Sequence, residues 1–159
     1  MSADRQAVAD FLALEARLAD EGRYDEWEAL WDDDGVYWIP AGGDNPDPDR
    51  QLSFAYDNRA RIASRVRQLS SGTHHTQVPP SRLRRLISNI EILAEAADGV
   101  LSVGSNFLLT EYRRGALTLW AGRVLHQLRP HPAGGFRMAQ KKVLLVNNTG
   151  DIPTLSFLI

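Results

Sequence analysis

The sequence predicts an α+β fold, with helices leading and a curved antiparallel sheet following. Two observations carry this. Apolar residues recur at helical spacing through the first third of the chain, whereas long runs after Leu86 alternate with a period of two between turn signals. Helices first and hairpin-linked strands afterwards are expected to pack as N-terminal helices on one face of a sheet.

The first element is an amphipathic helix over Asp4–Glu21. Ala7, Phe11, Leu14 and Leu18 follow one another at spacings of four, three and four, and Arg5, Asp10, Glu15 and Arg17 fill the other faces. Gly22 is placed to stop it. A short second helix in YDEWEALW takes its stripe from Tyr24, Trp27, Leu30 and Trp31. Asp32, Asp33, Asp34 and Gly35 end it before a short aromatic strand over Val36–Ile39. The run from Pro40 to Arg50 has the composition of a loop, and Asp57 is placed to cap a third helix carrying Ile62, Val66 and Leu69. Four strands then cover Leu86–Ala94, Val100–Arg113, Leu117–Arg129 and Phe136–Val146. Asp98-Gly99 and Arg114-Gly115 are turns between them, and LSFLI is a last apolar segment. Gly104 and Gly122 inside strands mark bends or bulges.

Composition narrows the functions available. A chain of 159 residues suits one domain over 1–159, and a net charge of −2 with 18 basic against 20 acidic residues supplies no field for nucleic acid. There is no cysteine, which removes thiolate chemistry and any cysteine-ligated zinc or iron–sulphur centre from this chain. MSADRQAVAD lacks the basic and apolar halves of a secretion signal, and no apolar run reaches membrane-spanning length. A cytoplasmic protein without membrane contact is expected.

Candidate chemistry is sparse. His74, His75, His126 and His131 offer no metal-ligand spacing, and no metal site is expected; His126 reads as a hydrogen-bonded residue lining the sheet. An acid–base pocket could be built from Asp33, Asp34 and Tyr37 with His75, Arg123 or His126 opposite. That would make a free-standing dehydratase, isomerase or cyclase, or else a small-molecule-binding module. The acidic triplet is more simply a solvated turn. Neither a Gly-x-Ser-x-Gly elbow nor a phosphate-cradling glycine loop is present. Trp27, Trp31 and Trp38 read as core anchors, and Trp120 as the cover of a subunit contact.

Most informative is Pro79–Asn89, PPSRLRRLISN. Two prolines fix an extended start, and Arg82, Arg84 and Arg85 follow at once, with Arg84 and Arg85 on opposite faces once the strand has begun. Guanidiniums so placed need carboxylates, carbonyls or a partner chain to receive them. Asp32–Asp34 or a neighbouring chain are the expected acceptors.

EGRYDEWEALWDDDGVYWIP, LSFAYDNRARIASRV, PPSRLRRLISNIEI, the GSNFLL run, AGRVLHQL and LSFLI occur in this order. Together they resemble the small (β) subunit of the aromatic-ring-hydroxylating dioxygenases, nearly end to end. The resemblance implies a cone-shaped, cystatin-like fold, similar to nuclear transport factor 2 and scytalone dehydratase. It implies a structural subunit without a catalytic centre or cofactor of its own. A larger α subunit would carry the Rieske [2Fe–2S] cluster and a mononuclear Fe(II), with electrons from NAD(P)H through a reductase. Three α and three β chains would form a hexamer, the β chains associating as a trimer. Arg82, Arg84, Arg85, Asn89, Arg123 and Trp120 are then expected to be interface or framework residues.

Overall fold

The computed structural model describes residues 3–44, 47–71 and 79–159. Its elements are α1 (Arg5–Asp20), α2 (Tyr24–Glu28), β1 (Trp31–Pro40), β2 (Ser53–Asp57), α3 (Arg59–Ser71), β3 (Arg82–Glu95), β4 (Leu101–Arg113), β5 (Ala116–Pro130) and β6 (Phe136–Leu145). Asp4 caps α1 by accepting the Gln6 N–H at 2.9 Å, and Gly22 at φ 69° lets the chain leave it.

The strands form one curved, open six-stranded sheet in the order β2-β1-β6-β5-β4-β3. It is mixed: β1 and β6 pair in parallel, the other pairs antiparallel. The expectation of a wholly antiparallel sheet therefore fails at one ladder. That ladder joins the first strand to the last, a non-local pairing that no turn signal announces.

Other differences are local. Trp31 opens β1 instead of closing α2, and the acidic triplet lies within that strand. The five-residue β2 is an element the sequence reading does not include; it pairs with β1, Trp38 beside Tyr56, at the sheet edge. Asn58, not Asp57, caps α3 through the Arg61 N–H at 2.9 Å. Asp57 is taken by Arg65, whose Nε donates to it at 2.6 Å.

Strands β4–β6 match their predicted spans within a residue, because alternation and turns are local signals, whereas β3 starts at Arg82, four residues before the predicted Leu86, and takes in the arginine run. Along β3 the ladder slips between Ser88 and Glu91, and Asn89 sits there at φ 53°, a β-bulge of the kind asparagine tolerates. Gly122 owes its identity to a close backbone approach, since a Cβ there would lie 2.2 Å from the Leu144 carbonyl oxygen. No bend is needed to explain it.

The core lies between the helices and the inner face of the sheet. Trp27, Trp31 and Tyr37 meet edge-on or tilted with centroids 5.6–6.1 Å apart. Phe157, Leu158 and Ile159 fold back into this space, each at most 4% exposed, and Phe157 packs on Trp120 at 5.3 Å. Trp120, expected to cover a subunit contact, is packed into this chain's own core, 3% exposed and donating from Nε1 to Glu111.

Candidate functional site

The signature arginines divide between the two faces of the sheet, as period-two geometry requires. Arg85 points inward. Its Nε donates to Asp20 Oδ1 at 2.8 Å, its backbone N–H to Asp20 Oδ2 at 3.1 Å, and its Nη2 to the Leu158 carbonyl at 2.8 Å. Arg85 and Asp20 are 4% exposed as side chains, so one residue locks the end of α1, strand β3 and the C-terminal segment together. Arg84 points outward and reaches Glu21 at 3.1 Å while remaining 70% exposed. Arg82 is also exposed. The acceptors are a carboxylate and a carbonyl, as the chemistry requires, but they are not Asp32–Asp34. Arg129 takes that acidic turn instead, donating to Asp32 at 2.6 Å and to Asp34 at 3.0 Å.

Beneath the C-terminal segment lies a buried polar group that the sequence did not reveal. Glu15 of α1 accepts from Trp27 Nε1 at 2.8 Å and pairs with Lys141 Nζ of β6 at 2.8 Å. His126 of β5 stands beside Lys141 in the ladder, its Nε2 3.6 Å from Glu15, too long for a hydrogen bond. Neither ring nitrogen has a hydrogen-bond partner. The expectation of a hydrogen-bonded sheet histidine fails here because Lys141 and Trp27 already hold the carboxylate.

Burial alone would raise the Glu15 carboxyl, but Lys141, His126 and Arg85 outweigh it and hold it well below the usual carboxylate range. Burial pushes the His126 pKa down, with Glu15 opposing, and pushes Lys141 down likewise. The sequence spacing alone places Glu15 on the polar side of α1. The usable signal was its place in the series Val8, Leu12, Glu15, Ala19, spaced four, three and four, whose other members are all apolar and buried.

The acid–base candidates do not converge. Asp33 and Asp34 are exposed, and the Arg129 guanidinium holds the Asp34 carboxyl below its ordinary range. Tyr37 faces the interior, where its hydroxyl donates to the Ile159 carbonyl and accepts the Ile159 N–H, each at 2.9 Å. Burial raises its pKa. His75 lies outside the described residues. Arg123 is on the outer face, donating to Asn106 at 3.1 Å and Glu91 at 3.3 Å. Gly104 makes room for it, since a Cβ there would sit 2.3 Å from Arg123 Nη2. Among the described residues no group of three or more His, Asp or Glu could hold a metal ion, and without cysteine a Rieske cluster has no thiolates here.

Comparison with known proteins bears on this arrangement. The model of the ring-hydroxylating β subunit family matches residues 14–151. The chain belongs to that family. The toluate 1,2-dioxygenase β subunit of Pseudomonas putida is 33% identical over 118 residues, covering 71% of this chain and 72% of that one. Among solved structures, the β subunit of benzoate 1,2-dioxygenase from Burkholderia mallei superposes with a TM-score of 0.76 at 25% identity, covering 92% of this chain and 93% of that one. An NTF2-like protein with a cystatin-like fold from Novosphingobium aromaticivorans superposes with a TM-score of 0.60 at 21% identity, covering 92% and 84%, which bears on the fold. The NTF2-like fold and the β-subunit resemblance read from the sequence both hold.

As a ring-hydroxylating β subunit, the chain is a component of an oxidoreductase. No helix among its described residues is long and apolar enough to cross a membrane.

Proposed function

We propose that this chain is the non-catalytic small subunit of an aromatic-ring dioxygenase and braces a larger α subunit. One observation carries the reading most directly. The space between helices and sheet, where a cone-fold enzyme would bind substrate, is filled by Phe157–Ile159 over the Glu15–Lys141 pair. Tyr37 is spent on Ile159, Arg85 on Asp20 and Leu158, and Asp34 on Arg129.

In this reading the partner carries the Rieske [2Fe–2S] cluster and mononuclear Fe(II), receives electrons from NAD(P)H through a reductase, and binds the aromatic substrate. Three α and three β chains assemble in the cytoplasm. The role of this chain's residues is mechanical: Arg85 and the Glu15–Lys141 pair keep one face of the sheet rigid, so that the other can present a fixed surface.

Affinity capture of the tagged chain from its native host, with mass spectrometry and iron analysis, tests this. The expected catch is a larger Rieske-type protein with iron in the complex, and none in the isolated chain. Recovery of the chain only with itself, or turnover of a dehydration or isomerisation substrate by the chain alone, overturns the proposal.

A further inference from the structure

One buried group takes no part in the bracing described above. His126 lies on the inner face of β5, 3% exposed, and neither ring nitrogen has a hydrogen-bond partner. Charged and titratable side chains gather beside it from several elements. Glu15 comes from α1, with Asp20 at that helix's end, Lys141 from β6, Arg85 from β3 and Tyr37 from β1. Strand β4 sets the uncharged Val103 directly opposite.

A proton on this ring finds no acceptor. Both nitrogens then carry N–H groups, and the carboxylate in reach, Glu15, is 3.6 Å away and already engaged by Lys141 and Trp27. His126 would become a third cation beside Lys141 and Arg85, against the two anions Glu15 and Asp20. Away from water, both the surplus charge and the unpaired N–H are costly. The proton therefore favours an arrangement that admits water.

The covers over this cluster differ in how easily they yield. Helix α1 is capped and sixteen residues long, and the sheet is tied by continuous ladders. The segment Leu155–Ile159 has neither helix nor strand. Its backbone is held at the Leu158 carbonyl by Arg85, at 2.8 Å, and at Ile159 by the Tyr37 hydroxyl, at 2.9 Å. Both anchors belong to the same cluster. Lys141 Nζ lies 5.9 Å from the centre of the Tyr37 ring, and the Arg85 charge acts on Glu15 and Lys141. This segment can leave without breaking a ladder.

We propose that acid opens this protein locally: a proton taken up by His126 releases Leu155–Ile159 from the centre of the fold while the six-stranded sheet stays paired. The device is independent of the larger subunit proposed above. It makes the grip on Arg85, and so the rigidity of β3, respond to pH.

The direction and size follow from linkage. Burial holds the His126 pKa below its value in water, so the open form binds the proton more readily. The closed form is favoured above the open-form value of about 6.5 and loses ground as pH falls through it. The opening constant then rises about tenfold between pH 7.5 and 5.5. Glu15 takes no part in that window, since its open-form carboxyl gains a proton only near ~4.3.

Amide hydrogen exchange of the full chain at these two pH values, read by mass spectrometry, tests the proposal. A synthetic Thr154–Ile159 peptide corrects for the intrinsic effect of pH on exchange. Protection of Phe157–Ile159 is expected to fall about tenfold at the lower pH and to be insensitive to low urea, while β5 and β6 stay better protected and urea-dependent. His126→Phe and His126→Gln should each abolish the fall. Ile159→Ala should lower protection at both pH values and keep their ratio. Equal corrected protection at the two pH values, or a fall that survives both histidine variants, overturns the proposal. So does a segment that exchanges in step with β5 and β6 and with their urea dependence, because the opening is then global.

Discussion

Arg84 and Arg85 are neighbours in sequence and opposites in the fold. Arg85 makes three hydrogen bonds in a site 4% exposed, while Arg84 makes one contact from a side chain 70% exposed. The contrast extends to the sheet they share. Its inner face pairs Arg85 with Asp20 and Lys141 with Glu15 away from water, and its outer face leaves leucines bare and charges in water. One strand thus builds the framework with one set of residues and offers a surface with the alternate set. Identical side chains one position apart carry different energies because solvent, not residue type, sets the strength of an ion pair.

The sharpest attempt to break this contrast is Lys141→Ala, which leaves the Glu15 carboxylate buried with its main partner gone. The expected loss is about 3–5 kcal/mol by chemical denaturation, whereas Glu15→Leu with Lys141→Met should cost far less. If the single and double variants prove equally stable, the pair is not what holds the interior. Arg85→Ala comes next, at about 2–4 kcal/mol, because Asp20 stays buried and the Leu158 carbonyl loses its donor.

A smaller effect concerns pH. Folding depresses the His126 pKa, so the unfolded chain binds the proton more readily; stability is intact above the unfolded value of about 6.5 and declines as pH falls below it. Glu15, depressed as well, adds to the loss only once pH drops below the unfolded carboxylate value near ~4.3. Melting curves of His126→Phe between pH 7 and 5 should therefore be flatter than wild type; an identical slope would rule out the histidine as the source. Smallest is Arg84→Ala, within about 0.5 kcal/mol. A loss comparable to Arg85→Ala would erase the distinction between faces.

Much of the framework was legible because it depends on near neighbours. Alternation and the Asp98-Gly99 and Arg114-Gly115 turns identify the meander of β3–β6, and the division of Arg84 from Arg85 follows from strand geometry alone. What escaped depends on distant contacts. Only the assembled sheet sets β1 beside β6 in parallel. Five-residue β2 follows a Pro- and Gly-rich loop with too little alternation to stand out. Choosing between Asp57 and Asn58 as the helix cap required knowing that Arg65 returns to claim Asp57. Glu15 was hidden by its charge, although its spacing matched the apolar stripe. Trp120 looked like an interface residue until Phe157, far along the chain, supplied its packing partner.

The segment Leu155–Ile159 also imposes an order on synthesis. It is the last of the described residues to leave the ribosome, yet it supplies the acceptor for Arg85, both hydrogen bonds of the Tyr37 hydroxyl and the ring against Trp120. A nascent chain can pair all six strands and still keep an unfilled centre. Final consolidation of the core must then await translation of these few residues, so a message cut short just before them encodes every strand of the sheet and none of its plug.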